Sequence, residues 1–129
     1  LREKTVAINA EIAKEFRFEA AHFLPAVPES HQCHKIHGHS YRLVIRVKGP
    51  IDEKMGWVMD LAELNHAFAP LAKLLDHSLL NEIEGLQNPT GEVVALWIFR
   101  KLESNLPLIS SVTLEATNRI AVTISKDML

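Results

Sequence analysis

HSYRLVIRVKG, residues 39–49, alternates cleanly between two kinds of side chain. Tyr41, Leu43, Ile45 and Val47 fall on one side, and Arg42, Val44, Arg46 and Lys48 on the other. A period of two with one apolar side is the pattern of a strand in an antiparallel sheet with one wet face. Upstream, EIAKEFRFEAAHF (11–23) alternates in part, so Phe16, Phe18, Ala20 and His22 share one face of a first strand. The two prolines of PAVPES (25–30) end that run. Downstream, GPIDEKMG (49–56) reads as a turn back and WVM (57–59) as a short strand remnant. Asp60 is placed to cap a helix from Leu61 to Leu75, with Leu61, Leu64, Phe68, Leu71, Leu74 and Leu75 as its apolar stripe. Pro70 inside that stripe should kink or split it.

NPT (88–90) opens a second helix from about Gly91 to Ser104. Thr90 is its cap, Glu92 suits the positive helix start, and Val93, Leu96, Trp97 and Leu102 supply the buried side. ISSVTLEAT and RIAVTIS then read as two strands joined by a tight turn near Asn118. The order β-β-α-α-β-β predicts an α+β fold, an antiparallel four-stranded sheet with both helices on one face. Arg42, Arg46, Thr113, Glu115 and Thr117 share the other face. A small sheet with open edges and a polar second face suits edge-to-edge assembly.

The 129 residues suit one domain, read as 11–129 behind an N-terminal extension, 1–10. With 47% hydrophobic and 23% charged residues the chain is globular rather than disordered. A net charge of −2 argues against nucleic acid or a membrane surface as partner, and no apolar run approaches the ~18 residues of a membrane span. The single cysteine excludes an internal disulfide and suits a reducing, cytoplasmic setting.

Chemistry gathers in CHKIHGHSY (33–41). On a strand His37 and His39 point the same way, about 6.5–7 Å apart, and can converge on one ion with Gly38 between them. His22, ending the first strand on the matching face, would complete a three-histidine zinc site with an open fourth position. The plainer reading is a polar loop with a satisfied strand-end histidine. Cys33 is either a fourth ligand, closing a structural site, or a free thiol whose neighbours favour the thiolate. In LLDHSLLN (74–81), Asp76 and His77 could form a proton shuttle, although neighbours on a helix point ~100° apart and contact would need irregular backbone. The alternative is a histidine stabilised by the helix C-terminus. Glu115, a lone carboxylate, either recognises a guanidine-like edge by paired hydrogen bonds or is simply exposed.

FRFEAAHFL, CHKIHGHSY, GWVMDLAEL, LLDHSLLN, NPTGEVVALWIF and LEAT, in this order over residues 12–124, resemble the 6-pyruvoyltetrahydropterin synthase superfamily. Its 6-carboxytetrahydropterin synthase branch, early in making deazapurines such as queuosine, shares the Cys-x-x-x-His-Gly-His spacing; the pyruvoyl-forming enzymes of animals place the cysteine further away. The resemblance implies Zn²⁺ on His22, His37 and His39, a catalytic Cys33, an Asp76–His77 relay, and Glu115 anchoring a pterin framed by Thr90. It also implies a barrel-forming homohexamer in which a neighbouring subunit supplies the relay. The implied reaction turns 7,8-dihydroneopterin triphosphate into 6-carboxytetrahydropterin, acetaldehyde and triphosphate. Two rivals are the same site stopping at a pyruvoyl product and a non-catalytic zinc-stabilised module. Ala116 stands where the family often has threonine, which bears on a secondary pterin contact. No phosphate-binding loop is evident.

Overall fold

Tyr41, Leu43, Ile45 and Val47 are all buried along β2 (His37–Pro50), as their alternation demands. The computed structural model describes residues 7–129, so residues 1–6 of the N-terminal extension lie outside the described residues. β1 (Asn9–His22) pairs with β2 in antiparallel register along its whole length, from Asn9 opposite Pro50 to His22 opposite His37. β4 (Ile109–Glu115) pairs with β2, and β5 (Ala121–Ser125) with β4, both antiparallel.

The sheet differs from the expected four strands. Ser78–Leu79, β3, pairs parallel with Ala20 and Ala21 of β1, giving a five-stranded mixed sheet of order β3-β1-β2-β4-β5. Two residues carry no readable period, so alternation could not announce this strand.

α1 spans Leu61–Leu75 and α2 spans Gly91–Glu103. Asp60 accepts from Ala62 N–H and Thr90 from Val93 N–H, so both expected caps are made. Pro70 does not split α1. It lies on the exposed side of the helix, where the carbonyl deprived of its partner can bond to water. The stripe is narrower than expected: Leu64, Phe68, Leu71 and Leu75 are buried, while Leu61 and Leu74 are half exposed. On α2 the buried set is Val94, Ala95, Ile98, Phe99 and Leu102. Leu96 therefore faces outward and Trp97 sits at the margin, its indole N–H donating to the Glu84 carbonyl at 3.1 Å.

Residues 57–59 form no strand. Asp52 closes the loop before them: its carboxylate accepts from Lys54 and Met55 N–H, and its carbonyl from Gly56 N–H. Gly56 has φ +76°, a conformation that favours glycine.

Side chains of both helices join Phe18, Tyr41, Leu43, Ile45, Val112 and Leu114 in one core on one face of the sheet. The other face carries a charged lattice. Glu15 is held by Arg17 (2.9 Å) and Arg42 (2.5 Å), and Arg46 donates to Thr113 at 2.8 Å. Val44 has this face's parity yet is buried, flanked in register by Glu15 and Thr113. No helix among the described residues is long and apolar enough to cross a membrane.

Candidate metal centre and active site

His22 and His37 are register partners, and His39 lies opposite Ala20. Directly opposed residues of an antiparallel pair share a face, so the pairing of β1 with β2 brings His22, His37 and His39 together at one end of the sheet. One ring nitrogen from each lies within 4.8 Å of the others. The rings meet edge-on, with centroids 4.6, 5.2 and 5.0 Å apart.

Backbone carbonyls decide which nitrogens face inward. His22 Nδ1 lies 2.8 Å from the Pro89 carbonyl, and His37 Nδ1 lies 2.8 Å from the Lys35 carbonyl. A carbonyl can only accept, so both Nδ1 atoms carry hydrogen and both Nε2 atoms of the neutral rings are bare. Those Nε2 atoms are 3.0 Å apart. Two lone pairs at that distance repel unless a cation lies between them. The donor set therefore fits a metal ion, and three neutral imidazoles, two of them oriented by a backbone carbonyl, suit zinc. Burial lowers the pKa of His22, opposed by the Pro89 hydrogen bond and reinforced by His37 and His39. Burial, then His37, lowers that of His39. Both shifts favour the neutral, ligating form.

The three histidines open on a cavity of about 310 Å³ that also holds Cys33, Tyr41, Thr90 and Glu92, walled by Leu24, Leu114, Ala116, Ile120 and Val122. Cys33 sits in a short 3₁₀ turn, Gln32–His34, whose geometry is held by Cys33 N–H donating to His31 Nδ1 and Leu24 N–H donating to the Cys33 carbonyl. It lines the cavity but stands outside the metal-competent cluster. Thr90 reaches the cavity while its hydroxyl is engaged in capping α2. Burial pushes the Tyr41 phenol up to about 12, so this wall stays uncharged.

His77 borders a second hollow, with Asp76 behind it. About 530 Å³ in volume, it is lined by Glu19, Gly38, His39, Ser40, His77 and Thr117; only His39 borders both. The backbone irregularity that contact requires is present: Asp76 leaves α1 in an extended conformation and His77 adopts φ +59°. The Asp76 carboxylate then meets His77 Nδ1 at 3.0 Å with one oxygen and accepts Glu19 N–H at 2.8 Å with the other. The Glu19 N–H, followed by His77, lowers the Asp76 pKa. His77 is left with 79% of its side chain exposed. An exposed ion pair contributes little to stability, and left-handed backbone at a non-glycine residue is strained. The dyad is built at a cost that its own stabilising effect does not explain.

Glu115 lies outside the cavity. It pairs in register with Arg42 on the sheet's charged face, opposite to the face of Leu114. The glycine of HGH is not forced by strain, because a Cβ there would meet only the Ala20 carbonyl at 3.7 Å; the missing side chain leaves the second hollow open. Two contributors escaped the sequence reading. The Pro89 carbonyl orients His22 and has no side-chain signature. Glu92, read only as a helix-start charge, also borders the cavity.

Residues 11–127 match the family described as 6-pyruvoyl tetrahydropterin synthase. A curated relative from Synechocystis sp., a 6-carboxy-5,6,7,8-tetrahydropterin synthase, is 43% identical over 107 residues, covering 78% of this chain and 81% of the relative. A dihydroneopterin monophosphate aldolase from Pyrococcus furiosus is 37% identical with the same two coverages. Among solved structures, a 6-pyruvoyl tetrahydropterin synthase from Caenorhabditis elegans superposes with a TM-score of 0.87 at 25% identity, over 95% of this chain and 99% of that one. With a match spanning nearly the whole sequence, and with homologous pterin enzymes on either side of it, the chain belongs to the 6-pyruvoyl tetrahydropterin synthase family.

Proposed function

We propose that residues 11–129 form a single zinc-dependent pterin synthase domain. It converts 7,8-dihydroneopterin triphosphate into 6-carboxy-5,6,7,8-tetrahydropterin, releasing acetaldehyde and triphosphate. The observation that carries this reading is the cavity in which three imidazoles converge, two of them with bare Nε2 atoms, beside a thiol outside their cluster. The 6-carboxytetrahydropterin synthase relatives supply the choice of product.

Zn²⁺ held by His22, His37 and His39 would supply Lewis acidity toward the oxygens of the substrate's side chain. Cys33, on the same wall, takes a carbon-bound proton beside the pterin ring. His77 moves a proton on the other side of the substrate, with Asp76 fixing its Nδ1–H and leaving Nε2 to act. Thr90 and the apolar wall frame the ring. Glu115, which lies outside this cavity in the single chain, would pair with the amino-pyrimidine edge through two hydrogen bonds where subunits adjoin.

Cys33 and His77 occupy different hollows of one chain, so the complete site forms where subunits adjoin, in a cytoplasmic homohexamer. The β1 edge supports this. β3 covers it only at Ala20 and Ala21 and the dyad only at Glu19, and among the described residues the stretch from Asn9 to Phe18 has no partner strand on that side.

A second reading is aldol cleavage of a dihydroneopterin phosphate, favoured by the Pyrococcus relative. A third stops at 6-pyruvoyltetrahydropterin. In a fourth, the zinc is purely structural. Cys33→Ala separates enzyme from structural module: zinc per chain unchanged with turnover of dihydroneopterin triphosphate abolished supports the proposal. Zinc lost together with Cys33 contradicts it, because the thiol would then be a ligand.

A further inference from the structure

Between the Asp76–His77 dyad and Pro89 the chain runs beside the end of β1, touching it repeatedly. Glu19 grips the dyad through its backbone, Ser78 and Leu79 pair with Ala20 and Ala21, and Pro89 receives the Nδ1–H of His22. One side chain closes the gap between these contacts. The Asn81 Oδ1 accepts Phe23 N–H at 3.0 Å, and its Nδ2 donates to the Phe23 carbonyl at 2.8 Å and to the Gln87 carbonyl at 3.4 Å. The amide therefore takes both backbone groups of the residue after His22. It also reaches the backbone two residues before the carbonyl that orients the His22 ring.

We propose that Asn81 is a positioning residue for the metal centre, holding His22 and its Pro89 partner in register so that His22 Nε2 faces the ion. This rests on the zinc reading given above. The physical reason is geometric. His22 is the last residue of β1, and beyond it the pairing with β2 stops. Nothing in the ladder fixes the direction of the chain at Phe23. A primary amide is the side chain that can mimic a strand neighbour, offering one acceptor and two donors in a plane. Alanine offers neither. Aspartate retains the acceptor and loses both donors. Partners that orient a ligating histidine carry much of a site's metal affinity, and Asn81 acts one step behind such a partner.

Zinc affinity of the full-length protein, measured by competition with a chromophoric chelator, tests this. Asn81→Ala should bind zinc about 10–100-fold more weakly than wild type, with Asn81→Asp between the two. The visible spectrum of the cobalt-substituted protein should shift in both variants, because ligand geometry changes. Asp60→Ala, which removes the cap of α1 away from the site, should lower stability while leaving zinc affinity and the cobalt spectrum as in wild type. Wild-type zinc affinity and an unchanged cobalt spectrum in folded Asn81→Asp would overturn the inference on their own, even if Asn81→Ala failed to fold. A wild-type protein that takes up no zinc would overturn the metal reading as well, so the two failures are distinguishable.

Discussion

Asp76 owes its low pKa first to a backbone amide, that of Glu19, and only then to the imidazole beside it. The sign of the resulting pH dependence follows. A carboxyl held below the ordinary aspartate value of 3.8 contributes stability that is fully present above that value. The contribution is lost as pH falls through the lower, folded-state value. Wild type should therefore exceed Asp76→Asn in thermal midpoint from neutral pH down to about pH 5, and the gap should close in the strongly acidic range. A midpoint series against pH on both proteins checks this. The same substitution should depress turnover, because His77 loses the partner that fixes its tautomer. Histidine letters at strand spacing made the triad legible from sequence. The tautomers were not legible, since Pro89 and Lys35 act through carbonyls that every residue possesses.

Elements were read most reliably where a period extended over several turns or alternations. α1 and α2 begin at the expected caps because Asp60 and Thr90 are short polar residues poised before apolar runs. The faces were harder to read. On α2, Leu96 and Trp97 look like core residues by composition, yet Val94, Ala95, Ile98 and Phe99 take the core, because theirs is the stripe that packs against the sheet. Pro70 costs α1 a hydrogen bond without breaking it, because the carbonyl it frees faces water and the buried stripe holds both turns. Pro70→Ala should restore the missing bond to His66 and raise stability by about 2–3 kcal/mol, since an interior proline costs ~3 and its stiffening of the unfolded chain gives back up to ~1. The thermal midpoint should rise by several degrees; an unchanged or lower midpoint would mean that Pro70 is needed where it stands.

At the scale of the whole molecule, one chain carries two hollows that meet only at His39, with the thiol in one and the relay in the other. Residue spacing alone does not show that division; only the family resemblance implies it, with the relay coming from a neighbouring subunit. The division predicts complementation. Cys33→Ala and His77→Ala, each inactive alone, should regain activity when unfolded and refolded together, because in the proposed assembly mixed oligomers would contain sites that draw an intact thiol from one chain and an intact relay from another. Recovery absent from mixed oligomers would place both groups in a single chain's site. Product identity tests the account most directly. Zinc-loaded wild-type protein is incubated with 7,8-dihydroneopterin triphosphate, and the pterin and carbonyl products are identified by mass spectrometry. The account predicts 6-carboxytetrahydropterin and acetaldehyde in equal amounts. A pyruvoyl pterin without acetaldehyde, a cleaved pterin with a phosphorylated glycolaldehyde, or no turnover would contradict it.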